Sequence, residues 1–302
     1  MKRVFLFVAT NIAVLAVISV VMRLLGFDHY MTKNGLDYRA LAVFSLLWGS
    51  VGSFISLAAS KWMAKKSMGV QIIDSPRTAD EQWLVETVKR QAEAAGIGMP
   101  EVGVFQSSSP NAFATGMKKN DALVAVSTGL LQTMNKDEVE AVLGHEVAHV
   151  ANGDMVTMAL IQGVLNAFVI FFSRIIGYAI AAASRDSRGG GYTMGSFIGT
   201  MIAQIVLGFV AAIIINWFSR WREFHADQGG AKLAGNQKMI DALKALQRSS
   251  RTEPLEGEFA AFGISSGSKA TLAKLFSTHP PLEDRIAALE KAQYGDNTVV
   301  TR

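Results

Sequence analysis

The sequence predicts a mainly α membrane protein, with four transmembrane helices and a water-exposed α+β part that holds a small β-sheet. Three observations predict it. Half of the 302 residues are hydrophobic, only 18% are charged and mean hydropathy is +0.26, whereas a soluble protein carries roughly 25% charged residues. The apolar residues gather in four long runs instead of being spread along the chain. Between the second and third runs lies a stretch with capped-helix and strand patterns. This composition excludes a disordered chain, a collagen-like fibre and a charged coiled coil. The chain has no cysteine, so a disulfide framework and a thiolate metal site are excluded, and any metal must be held by His, Asp or Glu. A net charge of +4 is too small an excess to argue for nucleic acid as a partner; a basic edge facing solvent or membrane fits it better.

The first run, Val4 to Leu25, is broken only by Thr10, Asn11, Ser19 and Arg23. It begins Met-Lys-Arg like a signal peptide, but Met22 and Arg23 stand where cleavage needs small residues, so it reads as an uncleaved anchor. The second run extends from about Leu41 to Ala59, the third from Met155 to Ala183 with Arg174 inside it, and the fourth from about Met194 to Phe218 without a charge. Each reaches the roughly 18–20 residues that a spanning helix needs. Gly163, Gly177, Gly195 and Gly208 would let the hairpin of runs three and four pack closely on a partner. Whether that hairpin is fully embedded stays open. Lys2, Arg3, Lys61, Lys65, Lys66, Arg220 and Arg222 flank one side of these runs, and Arg23, Lys33, Arg39, Arg185 and Arg188 the other. That bias modestly favours both termini in the cytoplasm. The expected organisation is 1–66 with two spans (about 4–25 and 41–59), 67–154 in water, 155–218 as a transmembrane or membrane-associated hairpin, and 219–302 in water.

Within 67–154, Thr78 and Glu81 form a capping-box pattern opening a helix that ends near Gly96, with Leu84, Val88 and Ala92 on one face. Val102–Gln106, Ala112–Met117 and Ala122–Val126 read as strands, the last two joined by a polar turn over 118–121. Asn135 and Glu138 open a second helix, with Val139, Leu143 and Val150 on its apolar face. After the fourth run come a helix near 220–233, another near 238–247, a Gly- and Ser-rich loop over about 249–269, and a final helix.

The second of those helices carries the chemistry. His145-Glu146-Val147-Ala148-His149 is an H-E-x-x-H pattern. Two histidines four apart lie about 40° from each other around a helix, so both imidazoles reach one ion. Glu146 projects beside them, where it can take a proton from the attacking water. The spacing points to zinc. A catalytic zinc needs a third protein ligand and one open position. His29 falls on the wrong side of the membrane, which leaves the cluster Glu223-Phe224-His225-Ala226-Asp227 and His279. Two spans separate His149 from that cluster, an even number, so both return to the same face, within roughly 10 Å of the membrane boundary. Spacing alone does not choose among Glu223, His225 and Asp227.

The block Gly144-His145-Glu146-Val147-Ala148-His149-Val150-Ala151-Asn152-Gly153-Asp154 resembles the HtpX membrane metalloproteases, relatives of the CAAX prenyl proteases. The arrangement of two spans before and two after the zinc helix, and Glu223-Phe224-His225-Ala226-Asp227, resemble them too. The resemblance implies a zincin-like α+β metalloprotease domain with one Zn²⁺ per chain, held by His145, His149 and Glu223. It implies a stress-response endopeptidase of the bacterial cytoplasmic (inner) membrane, active site facing the cytoplasm, that degrades misfolded or damaged membrane proteins with Glu146 as general base. Thr278-His279-Pro280-Pro281-Leu282-Glu283-Asp284-Arg285 resembles the family's His-Pro segment, which makes His279 and Arg285 candidates for stabilising the oxyanion. Asp227 is a candidate acceptor behind a ligand histidine. Asn111-Ala112-Phe113 resembles the family's strand beside the cleft, where an extended substrate would add its backbone. The lipid bilayer and membrane-protein or unfolded polypeptide substrates are the expected partners, with no nucleic acid; oligomeric state leaves no mark. Two rivals remain: prenyl-peptide processing, and a non-enzymatic membrane protein with a structural zinc. A structural site closes its fourth position with protein, often Cys.

Overall fold

The computed structural model describes residues 37–183, 194–252 and 278–296, together with Val20 and Leu24. All but Val20 and Leu24 of the first expected span (4–25), and most of the loop expected over 249–269, lie outside the described residues. The chain forms two compact units, one from the described parts of 1–56 and 158–215, the other from those of 57–157 and 216–302.

Three long helices supply the first unit: α1 (Tyr38–Ser67), α5 (Asp154–Ala183) and α6 (Met194–Ala234). Each is long and apolar enough to cross a membrane. Thirty residues of α1 or α5 measure about 45 Å, against roughly 30 Å of bilayer hydrocarbon. The core of this unit is narrow, with Ala42, Leu46, Ala167, Phe171 and Ile175 buried. Small residues set its spacing. A Cβ on Gly49 of α1 would stand 2.6 Å from the backbone nitrogen of Ala167 on α5, so the two backbones touch, as membrane helices do when small residues face each other. Large apolar side chains point outward instead, among them Leu47, Trp48, Ile55, Ile202, Ile205 and Phe209. In water that surface would be a liability, and in lipid it costs nothing.

The second unit is built on a four-stranded sheet of β1 (Gln71–Ile72), β2 (Glu101–Phe105), β3 (Ala112–Lys118) and β4 (Asp121–Ser127) in the order β1-β2-β4-β3. β2 and β4 run parallel and the other pairs antiparallel. β4 is buried from Ala122 to Ser127 because both its faces are covered. Val124 and Val126 join the main core with α2 (Ala79–Ala94), α4 (Lys136–Asn152), α7 (Asn236–Thr252) and α8 (Leu282–Asp296). Leu123 and Ala125 pack on the other side with Phe105, against Ala64, Ile72 and Phe113. β3 is left as an edge strand. The short α3 (Thr128–Thr133) links β4 to α4, capped by the Ser127 hydroxyl.

Local signals act as their chemistry requires. Both capping boxes are formed, Thr78 with Glu81 and Asn135 with Glu138. The hairpin β3–β4 turns on Lys119 and Asn120 alone, with Lys118 opposite Asp121. The fourth apolar run and the helix expected near 220–233 differ from expectation, because they are one continuous helix, α6. No Gly or Pro falls between Phe218 and Arg222 to break it.

Candidate metal centre

α4 delivers the H-E-x-x-H residues, and the way it ends completes their surroundings. Gly153 stops the helix in the left-handed conformation (φ 74°), donating its N–H to the carbonyls of His149 and Val150, a geometry that suits glycine. The chain turns at once into α5, whose first residue is Asp154. This places the Asp154 carboxylate against His149, whose Nδ1–H donates to Oδ2 at 2.6 Å.

α6 delivers Glu223 and Asp227, one turn apart on one face and both buried. Glycines let α6 approach α4 closely enough for this. A Cβ on Gly230 would lie 2.9 Å from the backbone nitrogen of His145, and one on Gly229 would lie 2.5 Å from the Ala148 Cβ. The Asp227 carboxylate accepts from His145 Nδ1 at 2.9 Å. Arg285 of α8 donates to the same carboxylate through Nε and Nη2, at 2.7 and 2.6 Å. Arg222 stands behind the other acceptor, its Nε 4.0 Å from Asp154 Oδ2.

These partners decide what the histidines present inward. With each Nδ1 proton given to a carboxylate, each Nε2 offers a bare lone pair. The two Nε2 atoms are 3.1 Å apart. Glu223 Oε2 lies 3.4 Å from that of His145 and Oε1 lies 3.3 Å from that of His149. Three buried donor groups thus converge on one point. Donors about 2.0–2.1 Å from a tetrahedral ion stand roughly 3.3 Å from one another, so His145, His149 and Glu223 fit a metal. Burial opposes a charge on His145, but the Asp227 and Glu223 carboxylates outweigh it and raise its pKa to about 9. His149 is raised likewise, by Asp154 and Glu223 against burial.

Glu146 is half-buried and borders a cavity of about 690 Å3 that also exposes His145, Glu223, His279 and Arg285. Its carboxylate makes no hydrogen bond to the other described residues. His279 has an exposed side chain, with Nδ1 2.9 Å from Glu223 Oε2. Arg285 is buried, with Nη1 3.6 Å from the same oxygen. Asn111 and Ala112 line the cavity at the edge strand, whereas Phe113 packs on the opposite side of the sheet, 5.5 Å from the Phe105 ring. His225 is exposed, turned away from the site and bonded through Nδ1 to the Trp221 carbonyl at 3.1 Å. Sequence reasoning missed Asp154 and Arg222. The signal for Asp154 was the Gly153 break, which brings the following residue back beside the helix it ends.

Comparison with known proteins accords with this geometry. Residues 78–293 match Peptidase family M48. Protease HtpX of Thioalkalivibrio sulfidiphilus is 57% identical over 296 residues, covering 97% of this chain and all of the relative. A Protease HtpX homolog of Thiobacillus denitrificans is 58% identical over 294 residues with the same coverage. The crystal structure of S. mikatae Ste24p superposes with a TM-score of 0.61 at 18% identity, over 94% of this chain and 66% of that one, a likeness of fold. The motif on α4, its carboxylate partner on α6 and these matches over nearly the whole length agree, and the chain belongs to peptidase family M48, among the HtpX membrane metalloproteases.

Proposed function

We propose that this protease is a zinc endopeptidase of the bacterial cytoplasmic membrane, anchored by four spans, that cuts misfolded or damaged membrane proteins on the cytoplasmic side. The observation that carries the reading is the convergence of two bare Nε2 atoms and the Glu223 carboxylate beside the unengaged Glu146. A neutral-imidazole and carboxylate set without sulfur suits zinc with one position left open. Three of the four spans correspond to α1, α5 and α6, and the excess of Lys and Arg at 61, 65, 66, 220 and 222 supports the cytoplasmic side for the site.

His145, His149 and Glu223 would hold the ion, which supplies Lewis acidity, polarising a carbonyl oxygen and making water acidic near neutral pH. Asp227 and Asp154 hold the two imidazoles in the tautomer that leaves Nε2 bare, and Arg285 holds the Asp227 carboxylate. A substrate strand lies along Asn111 and Ala112, its backbone bonded to the edge of β3. As water attacks the scissile carbonyl, Glu146 takes its proton and delivers it to the leaving amine as the C–N bond breaks. His279, exposed on the cavity, is the better placed of the two candidates to meet the oxyanion; Arg285 has only Nη1 free of Asp227.

Glu146→Gln removes the base and keeps the ligands. It should retain one zinc per chain by metal analysis and lose about 10²–10⁴-fold in casein hydrolysis. Hydrolysis at the wild-type rate would overturn the assignment. Cleavage by wild type of an unmodified peptide as readily as a prenylated one separates this reading from prenyl-peptide processing.

A further inference from the structure

The cavity beside Glu146 is two-sided. Beside its polar catalytic residues it is lined by the apolar wall residues Leu130, Val142, Met239, Leu243, Leu246 and Leu282, with Ser249 at the end of the α7 row. Met239, Leu243 and Leu246 follow one another at helical spacing on α7. That helix turns one apolar stripe both to the core and to the cavity. Val142 joins this wall from α4, three and four residues before His145 and Glu146. It therefore stands about one turn, roughly 5 Å, from the catalytic residues on the same helix face. Consecutive Cα atoms of an extended substrate are about 3.8 Å apart, so a residue next to the bond being cut brings its side chain to the apolar wall.

The geometry points to a specificity pocket on this wall, which takes a bulky apolar side chain, Leu, Phe or Met, flanking the scissile bond. The assignment rests on the proteolytic reading above and adds to it which bonds are chosen. The apolar side chains of this wall offer no hydrogen-bonding groups, so a charged or amide side chain would lose its water there without compensation. Leu246 and Leu282, both partly exposed, line the accessible part, with the buried Val142 behind them. Met239 lies beneath with only 2% exposure, and its flexible thioether can shift to fit side chains of different shape. The choice has a consequence for substrate state. Leu, Phe and Met are the side chains that folding hides, so an intact protein conceals the bonds this site prefers and an unfolded one presents them.

The test uses the full-length, zinc-loaded protein in detergent. Casein is digested and the new termini are sequenced by mass spectrometry; then matched peptides with Phe or Ala beside the cut are compared. Wild type should favour Phe by about tenfold or more in kcat/KM, and Leu, Phe and Met should be enriched on one side of the casein cuts. Leu246→Trp and, separately, Leu282→Trp fill the pocket and should bring the Phe-to-Ala ratio down about tenfold. Because the ratio is taken within each variant, loss of folded enzyme cancels. Cuts with no apolar enrichment, or wild-type ratios in both Trp variants, overturn the pocket while leaving the protease reading intact. No cleavage of any peptide by the loaded wild type overturns both.

Discussion

Each ligand histidine is held by a carboxylate, and an arginine holds one of the two carboxylates, yet the two chains of contact come from different parts of the sequence. His145 is backed by Asp227 and Arg285, and His149 by Asp154 with Arg222 nearby. Removing an orienting acceptor of this kind lowers metal affinity about 10–100-fold. Asp154→Ala should therefore weaken zinc binding by that factor in a chelator competition, and Asp154→Asn, which still accepts through its amide oxygen, should recover part of it. The protons compete with the metal. His145 holds its proton up to about pH 9 in the metal-free site, against 6.5 for the ordinary side chain. The stabilisation this gives is complete below about pH 6.5 and is lost as pH rises through about 9. Metal-free protein should accordingly lower its Tm between pH 6.5 and 9, while zinc affinity tightens over the same window. An affinity independent of pH would show that His145 is not a ligand.

Among the elements, the contact of α4 with α6 is the one on which the site depends. Gly230 stands against the His145 backbone with no room for a Cβ. Gly230→Ala should force the helices apart, at a cost of about 1–3 kcal/mol, and weaken metal binding; unfolding in denaturant and zinc titration together measure it. Much at this scale is legible in sequence because its causes are local. The capping boxes at Thr78 and Asn135 act over three residues, and the histidine pair over four. What escapes is what depends on partners far along the chain. The two-residue β1 exists only through its pairing with β2, and its own sequence carries no strand pattern. The choice among Glu223, His225 and Asp227 needed the direction from which α4 approaches α6. The four-residue spacing of Glu223 and Asp227, with His225 turned about 160° from either on an ideal helix, was the clue available. Asp154 was missed because a residue beyond a helix end has no periodicity to place it.

At the scale of the whole molecule, the apolar surface of Leu47, Trp48, Ile202 and Phe209 and the buried polar centre belong to separate compact units. The sidedness proposed for them can be measured directly, because the chain has no cysteine of its own. Lys118→Cys, on the β3–β4 hairpin, should react with an impermeant maleimide only after cells are opened. Met194→Cys, at the start of α6, should react in intact spheroplasts. The reverse pattern would place the active site outside the cytoplasm.

The order of the donors along the chain has one more consequence. His145 and His149 are synthesised before α5 and α6, and Glu223, Asp227 and Arg285 only after most of that apolar hairpin has been made. A polypeptide halted partway through that hairpin has two histidines and no third donor. The enzyme's lytic power comes into being with the last third of the chain, after the hairpin has been made.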